Sequence, residues 1–152
     1  MTDKSAFSAD EWKAVVEAPL LVTAVMFAAG QHGPISMIKE SAASARLITT
    51  PGDRGAANAL IAQIVPEAES KESRHEAAHH DAGNLQALIV KGLADLGPAA
   101  TALAKLPADE AAGVGGWLVD IARAVGGASK GVSDLERETI GKIAATFGVP
   151  AE

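Results

Sequence analysis

Val114-Gly115-Gly116-Trp117-Leu118-Val119-Asp120-Ile121-Ala122-Arg123-Ala124-Val125, closed by Gly126-Gly127, is the stretch that decides the fold. Val114, Trp117, Leu118, Ile121 and Val125 recur at steps of three and four, which lays them along one side of an α-helix. The glycine pair stops that helix. Ser133-Asp134-Leu135-Glu136 then opens another as a capping box, the serine oxygen accepting from the N3 amide and the glutamate answering the serine's own N–H. Ile140, Ile143, Ala144 and Phe147 fall on one face of this second helix.

The same grammar extends outward through the chain. Ser8-Ala9-Asp10-Glu11 is a further capping box, leading into Trp12, Val15 and Val16. Pro19 is expected to kink or restart that helix before the apolar run Ala18–Ala29. Gly30-Gln31-His32-Gly33-Pro34 reads as a turn, and Ile35, Ile38, Ala42 and Ala45 as the next stripe. Thr50-Pro51-Gly52-Asp53 breaks the chain again, and Ala57, Leu60, Ile61 and Ile64 line a third helix expected to stop at Pro66. After a polar stretch from Glu67 to His80, Leu85, Leu88, Ile89, Gly92 and Leu96 form a clean stripe. Gly97-Pro98 ends it, a short helix runs to Leu106, and Pro107 suits a first helical position. No segment alternates with period two long enough for a strand. The sequence therefore predicts one all-α domain over residues 1–152, about seven helices packed as hairpins around an Ala/Val/Leu/Ile core.

Composition narrows the partners. A net charge of −6 with scattered basic residues argues against nucleic acid, whose phosphates call for clustered Lys and Arg. The absence of cysteine excludes disulfides, thiolate metal sites and a cysteine nucleophile, and fits a cytoplasmic location. The N-terminus does not read as a signal peptide. The apolar run Ala18–Ala29 is shorter than the roughly 20 residues a membrane span needs, so a core helix is expected there and no span.

A faint repeat relates positions 97 apart: Leu21-Val22 to Leu118-Val119, Gly30 to Gly127, Ile35-Ser36 to Val132-Ser133, Ile38 to Leu135. Each copy reads as apolar helix, glycine turn, serine cap, helix, which suggests a duplicated hairpin. With Gly116–Ala122, Val132–Glu136 and Ile143-Ala144, this pattern resembles the all-helical tellurite-resistance TerB-like domains, closely in the C-terminal third and loosely in the N-terminal hairpin. The resemblance implies a small non-enzymatic accessory protein, stress related, acting through a protein partner or an ion. The family's turn aspartate is missing here: Gln31-His32 stands in the first copy and Ala128-Ser129 near the second. Glu40, Asp134, Glu136 and Glu138 are the carboxylates left near the turns.

The rival reading comes from His75-Glu76-Ala77-Ala78-His79, the H-E-x-x-H pattern of zinc hydrolases. On a helix, His75 and His79 would share a zinc ion and Glu76 would serve as general base toward its bound water. A third ligand would have to come from a later helix, with Asp109, Glu110 and Asp120 as candidates. The extended pattern fails, since Ala82 and Leu85 replace its glycine and histidine. Ser73-Arg74-His75-Glu76 is alternatively a capping box, which gives Glu76 a structural job at a helix start. Glu72-x-x-His75 and Glu76-x-x-His79 have the spacing of di-iron bundles but lie in one segment, where two helices are required.

Gly126 to Ser133 nearly spells a P-loop, but Val132 stands where the lysine belongs and a helix precedes it where a strand should. Gly113, Gly115 and Gly116 ahead of Trp117 are read as packing glycines, with the indole over the seam. The balance favours a non-enzymatic helical protein with an unidentified protein partner. His75 and His79 are the candidate metal ligands, and oligomeric state is left open.

Overall fold

The computed structural model describes residues 2–30, 34–75, 85–127 and 132–151, with backbone alone for 34–41, 71–75 and 85. It contains α1 (Ala9–Gly30), α2 (Pro34–Thr49), α3 (Asn58–His75), α4 (Leu85–Asp95), α5 (Gly97–Leu103), α6 (Ala108–Gly126) and α7 (Asp134–Phe147). Lys4–Ala6 and Gly55–Ala57 form single 3-10 turns. The described residues include no strand, so the all-α expectation holds. Its count needs one refinement: six helices have eleven residues or more, and α5 is a stub of seven.

α1 is the axis of the bundle and packs against every other helix. Its 22 residues make it, among the described residues, the one helix long and apolar enough to cross a membrane, and 56% of that apolar window is buried inside the protein. The run of twelve apolar residues understated its length because one continuous helix includes Pro19 and the residues before it. Proline in a helix interior costs about 3 kcal/mol. Pro19 is buried among the core residues, and that packing offsets the cost.

Two polar ties anchor α1. The Trp12 indole donates to Glu67 Oε2 at 2.7 Å, binding α1 to α3. Lys105 Nζ reaches both oxygens of Glu11 at 2.6 and 2.8 Å, which holds the Glu11 carboxyl below its usual range. Ser8 Oγ accepts from the Glu11 amide as the sequence predicts.

The second proline also fails to end its helix. α3 runs nine residues past Pro66, to His75. Pro66 and Ala62, four residues earlier, both lie on the exposed face, where water replaces the lost helical bond. Ser73 therefore lies inside α3, and Glu76, the other half of the capping box expected there, lies outside the described residues. At α6, Pro107 is the N-cap, one position before its expected place. Among the described side chains of α2, Ser44 and Ile48 are buried, Ala45 is half-buried and Ala42 is exposed; Ile35 and Ile38 of the expected stripe lie outside them. Ser44 Oγ meets Thr23 Oγ at 2.6 Å, a hydroxyl pair between α2 and α1.

The C-terminal half follows its sequence most faithfully. Val114, Trp117, Leu118, Ile121 and Val125 are all buried, and Ser133 and Glu136 make both bonds of the capping box. α2 leans mainly on α6, while α7 lies against α6 and α1, so each second helix of the two hairpins crosses onto the first helix of the other. The hairpin grammar is visible in this arrangement. The residue correspondence is not, because Ser133 caps α7 whereas Ser36 lies inside α2.

Candidate functional site

His75 closes α3, and its side chain lies outside the described residues, as do Glu76 and His79 altogether. Each of the proposed third ligands makes a contact of its own, while Glu110 Oε2 is buried without a hydrogen-bond partner among the described residues. Glu110 is buried in the first turn of α6, its Oε1 accepting from the Thr2 amide at 3.2 Å. Asp109 Oδ1 accepts from the Glu110 amide at 2.9 Å. Asp120 belongs to an arginine cluster on the outer side of α6. Among the described residues no group of three or more His, Asp or Glu is placed to hold a metal ion.

The carboxylates near the turns also separate. Asp134 pairs with Arg137 at 3.4 Å and Glu138 with Lys142 at 3.1 Å, both on the surface of α7. Glu136 is fully buried in its capping role, with Oε2 beside Gly126, where a Cβ would come within 3.4 Å. The Glu40 side chain lies outside the described residues.

A concave surface forms elsewhere, between α6 and the tail that follows α7. Ala112, Gly116, Val119, Asp120 and Arg123 recur at helical spacing along α6, and Val149 and Pro150 close the other wall, around a groove of about 200 Å³. The tail is set there by Gly148, whose φ of 66° provides a left-handed helix stop, with the Val149 amide reaching back to the Ala144 carbonyl at 3.0 Å. Gly115 lets the tail approach: a Cβ on it would lie 3.0 Å from Val149 Cγ1 and 3.2 Å from Phe147 Cβ.

The groove's polar end is assembled by the loop between α2 and α3. Gly52 and Gly55 take φ values of 78° and 58°, a left-handed backbone that favours glycine. Asp53 Oδ1 accepts from the Gly55 amide at 2.9 Å and from Asn58 Nδ2 at 3.0 Å, bonds that hold its carboxyl below the usual range. Gly113 seats this loop on α6, because a Cβ there would fall 2.5 Å from Ala57 Cβ and 2.8 Å from the Arg54 carbonyl. Arg54 is thereby fixed, Nε donating to Pro51 O at 2.8 Å and an Nη to Asp120 Oδ2 at 2.6 Å. Arg123 approaches the other oxygen of Asp120 at 3.5 Å, with about half its side chain exposed.

Sequence reasoning named Gly113, Gly115 and Gly116 as packing glycines, and the structure bears this out for the first two alone. A Cβ on Gly116 would meet nothing within 4 Å. The Trp117 indole is fully buried, donating to Leu47 O at 2.8 Å on α2. Arg54, Arg123 and Val149 were missed as site residues. The small-then-charged spacing at 112, 116, 120 and 123 was the available signal, whereas Arg54 arrives from 66 residues away through a loop whose fold no local pattern announces. Comparison with protein-family models, curated proteins and solved structures finds no match.

Proposed function

We propose that this chain is a non-enzymatic binding protein, an accessory module of TerB-like type that works by holding a partner. The observation that supports this most is the α6 groove, a concave apolar surface with a guanidinium at its rim. Asp120 beside it is tied to Arg54, and elsewhere several ionisable side chains serve as structural ties: Glu11 to Lys105, Glu67 to Trp12, Glu136 to the α7 cap. Groups spent in this way favour a scaffold over acid–base chemistry, which needs a titratable group facing substrate.

Quantitative affinity capture with the full chain, run beside Arg123→Glu, tests the reading. A partner enriched by the wild type, lost with the variant and rebinding when purified is the expected result. Equal capture by both chains removes the groove from the function. The zinc hydrolase reading of His75, Glu76 and His79 has its own test in elemental analysis of untagged protein. Stoichiometric zinc retained through dialysis and abolished by His75→Ala would revive it.

A further inference from the structure

We infer that the α6 groove is a binding site for a free short-chain aliphatic carboxylate, an inference that rests on the binding-protein reading and adds the chemistry of the ligand. The first support is Gly116. Mid-helix glycine is about 1 kcal/mol less favourable than alanine, and close packing accounts for it at Gly113 and Gly115. Gly116, like Gly141 on α7, has no such packing contact; what sets it apart is that it lines the groove, with open space above its Cα. What the missing side chain provides there is depth.

The second support is charge. Asp120 lies at the polar end, but its Oδ2 is taken by Arg54 at 2.6 Å, and Arg54 is mostly buried and held by its loop. Arg123 touches the same carboxylate at 3.5 Å, and this is its ion pair among the described residues. Among the described residues, two guanidiniums face one carboxylate there, an excess of one positive charge in a chain whose total is −6. A guanidinium with open donors pairs best with a carboxylate, two N–H groups to two oxygens.

The third support is size and lining. The groove has a volume of about 200 Å³. That falls below the roughly 300 Å³ at which pockets for larger ligands begin. Ala112, Val119, Val149 and Pro150 supply aliphatic walls with no hydrogen-bonding side chain. A carboxylate with a short aliphatic tail suits such a space, head on Arg123 and tail over Gly116.

The test is an amide-correlation NMR titration of the full chain with sodium pentanoate, 1-pentanol and pentylamine. Saturable shifts at Gly116, Arg123 and Val149 with pentanoate alone are expected. Arg123→Gln should weaken binding about tenfold, the loss of one charge-assisted pair. Gly116→Ala should also weaken it while raising the thermal midpoint, a combination that merely damaged folding cannot produce. No saturable shift, equal response to pentanol, or undiminished binding in both variants overturns the inference. So does an acetylated peptide ending in valine that binds tenfold tighter than pentanoate, since the site would then read chain termini. If pentanoate fails while a partner is still captured in an Arg123-dependent way, the ligand class falls and the binding-protein reading stands.

Discussion

Replacing Trp117 by phenylalanine probes the seam between the two hairpins. The Trp117 indole is fully buried and donates to Leu47 O at 2.8 Å. Leu47 lies in the last turn of α2, where carbonyls lack intrahelical donors. Its natural donor would be the amide four residues on, but position 51 is proline and has no N–H. The indole therefore serves an acceptor that the backbone cannot. Phenylalanine leaves that carbonyl without its donor, at a cost of about 1–2 kcal/mol. The smaller ring forfeits about 40 Å² of apolar contact, or roughly 1 kcal/mol. Together the loss is about 2–3 kcal/mol, a fall of about 5–10 °C in Tm for a domain of this length. Urea unfolding followed by far-ultraviolet circular dichroism measures it without relying on tryptophan emission. Trp12→Phe is the internal comparison: its partner Glu67 is partly exposed and regains water, so the loss should be smaller by about 1 kcal/mol. A Trp117→Phe variant within about 0.5 kcal/mol of wild type, the range of an indifferent surface change, would refute the account of the Leu47 carbonyl.

Glycines in the helices should divide by what a methyl group meets. Gly92→Ala places Cβ 2.2 Å from Val25 Cγ2 and should destabilise by about 1–3 kcal/mol, whereas Gly141→Ala meets nothing within 4 Å and should stabilise by about 0.5–1 kcal/mol. Thermal melts of the two variants should move in opposite directions. The pH dependence follows from carboxyls whose pKa is lowered by folding: Lys105 lowers Glu11, Ser5 lowers Asp3, and the Gly55 amide lowers Asp53. Because the folded value is depressed, their contribution is full above the unfolded pKa and is lost as pH falls through the folded one. Stability should thus decline below about pH 4.5, and Glu11→Gln should flatten the top of that decline in acid-titration melts.

Much of the fold was legible because its signals are local. Ser133 and Glu136 build a cap from two side chains three residues apart, and the Val114–Val125 stripe needs no partner to be seen. The errors came where tertiary context overrode a local breaker. Pro19 is itself buried in the core and Pro66 lies on an exposed face, so neither ended its helix. Ser73 looked like a cap only because α3 was taken to have stopped at Pro66. A proline marks a helix end reliably only when nothing else holds the chain on either side of it.

The groove illustrates the other limit. Its α6 wall was in view as a run of small residues, but its charge is decided by Arg54, delivered by the loop between α2 and α3. That dependence can be measured as a coupling. Arg54 is mostly buried and Asp120 about one-third exposed, so their 2.6 Å bond falls between a surface pair, worth about 0–1 kcal/mol, and a buried charge-assisted bond of about 1.5–3 kcal/mol. A double-mutant cycle of Arg54→Met and Asp120→Asn should return about 1 kcal/mol of coupling in urea unfolding. Arg123→Met with the same Asp120→Asn should return a few tenths at most, because its contact is 3.5 Å long and half exposed. Equal couplings would mean that the two arginines share Asp120 evenly, and Arg123 would then have no claim to be the cation that faces the groove.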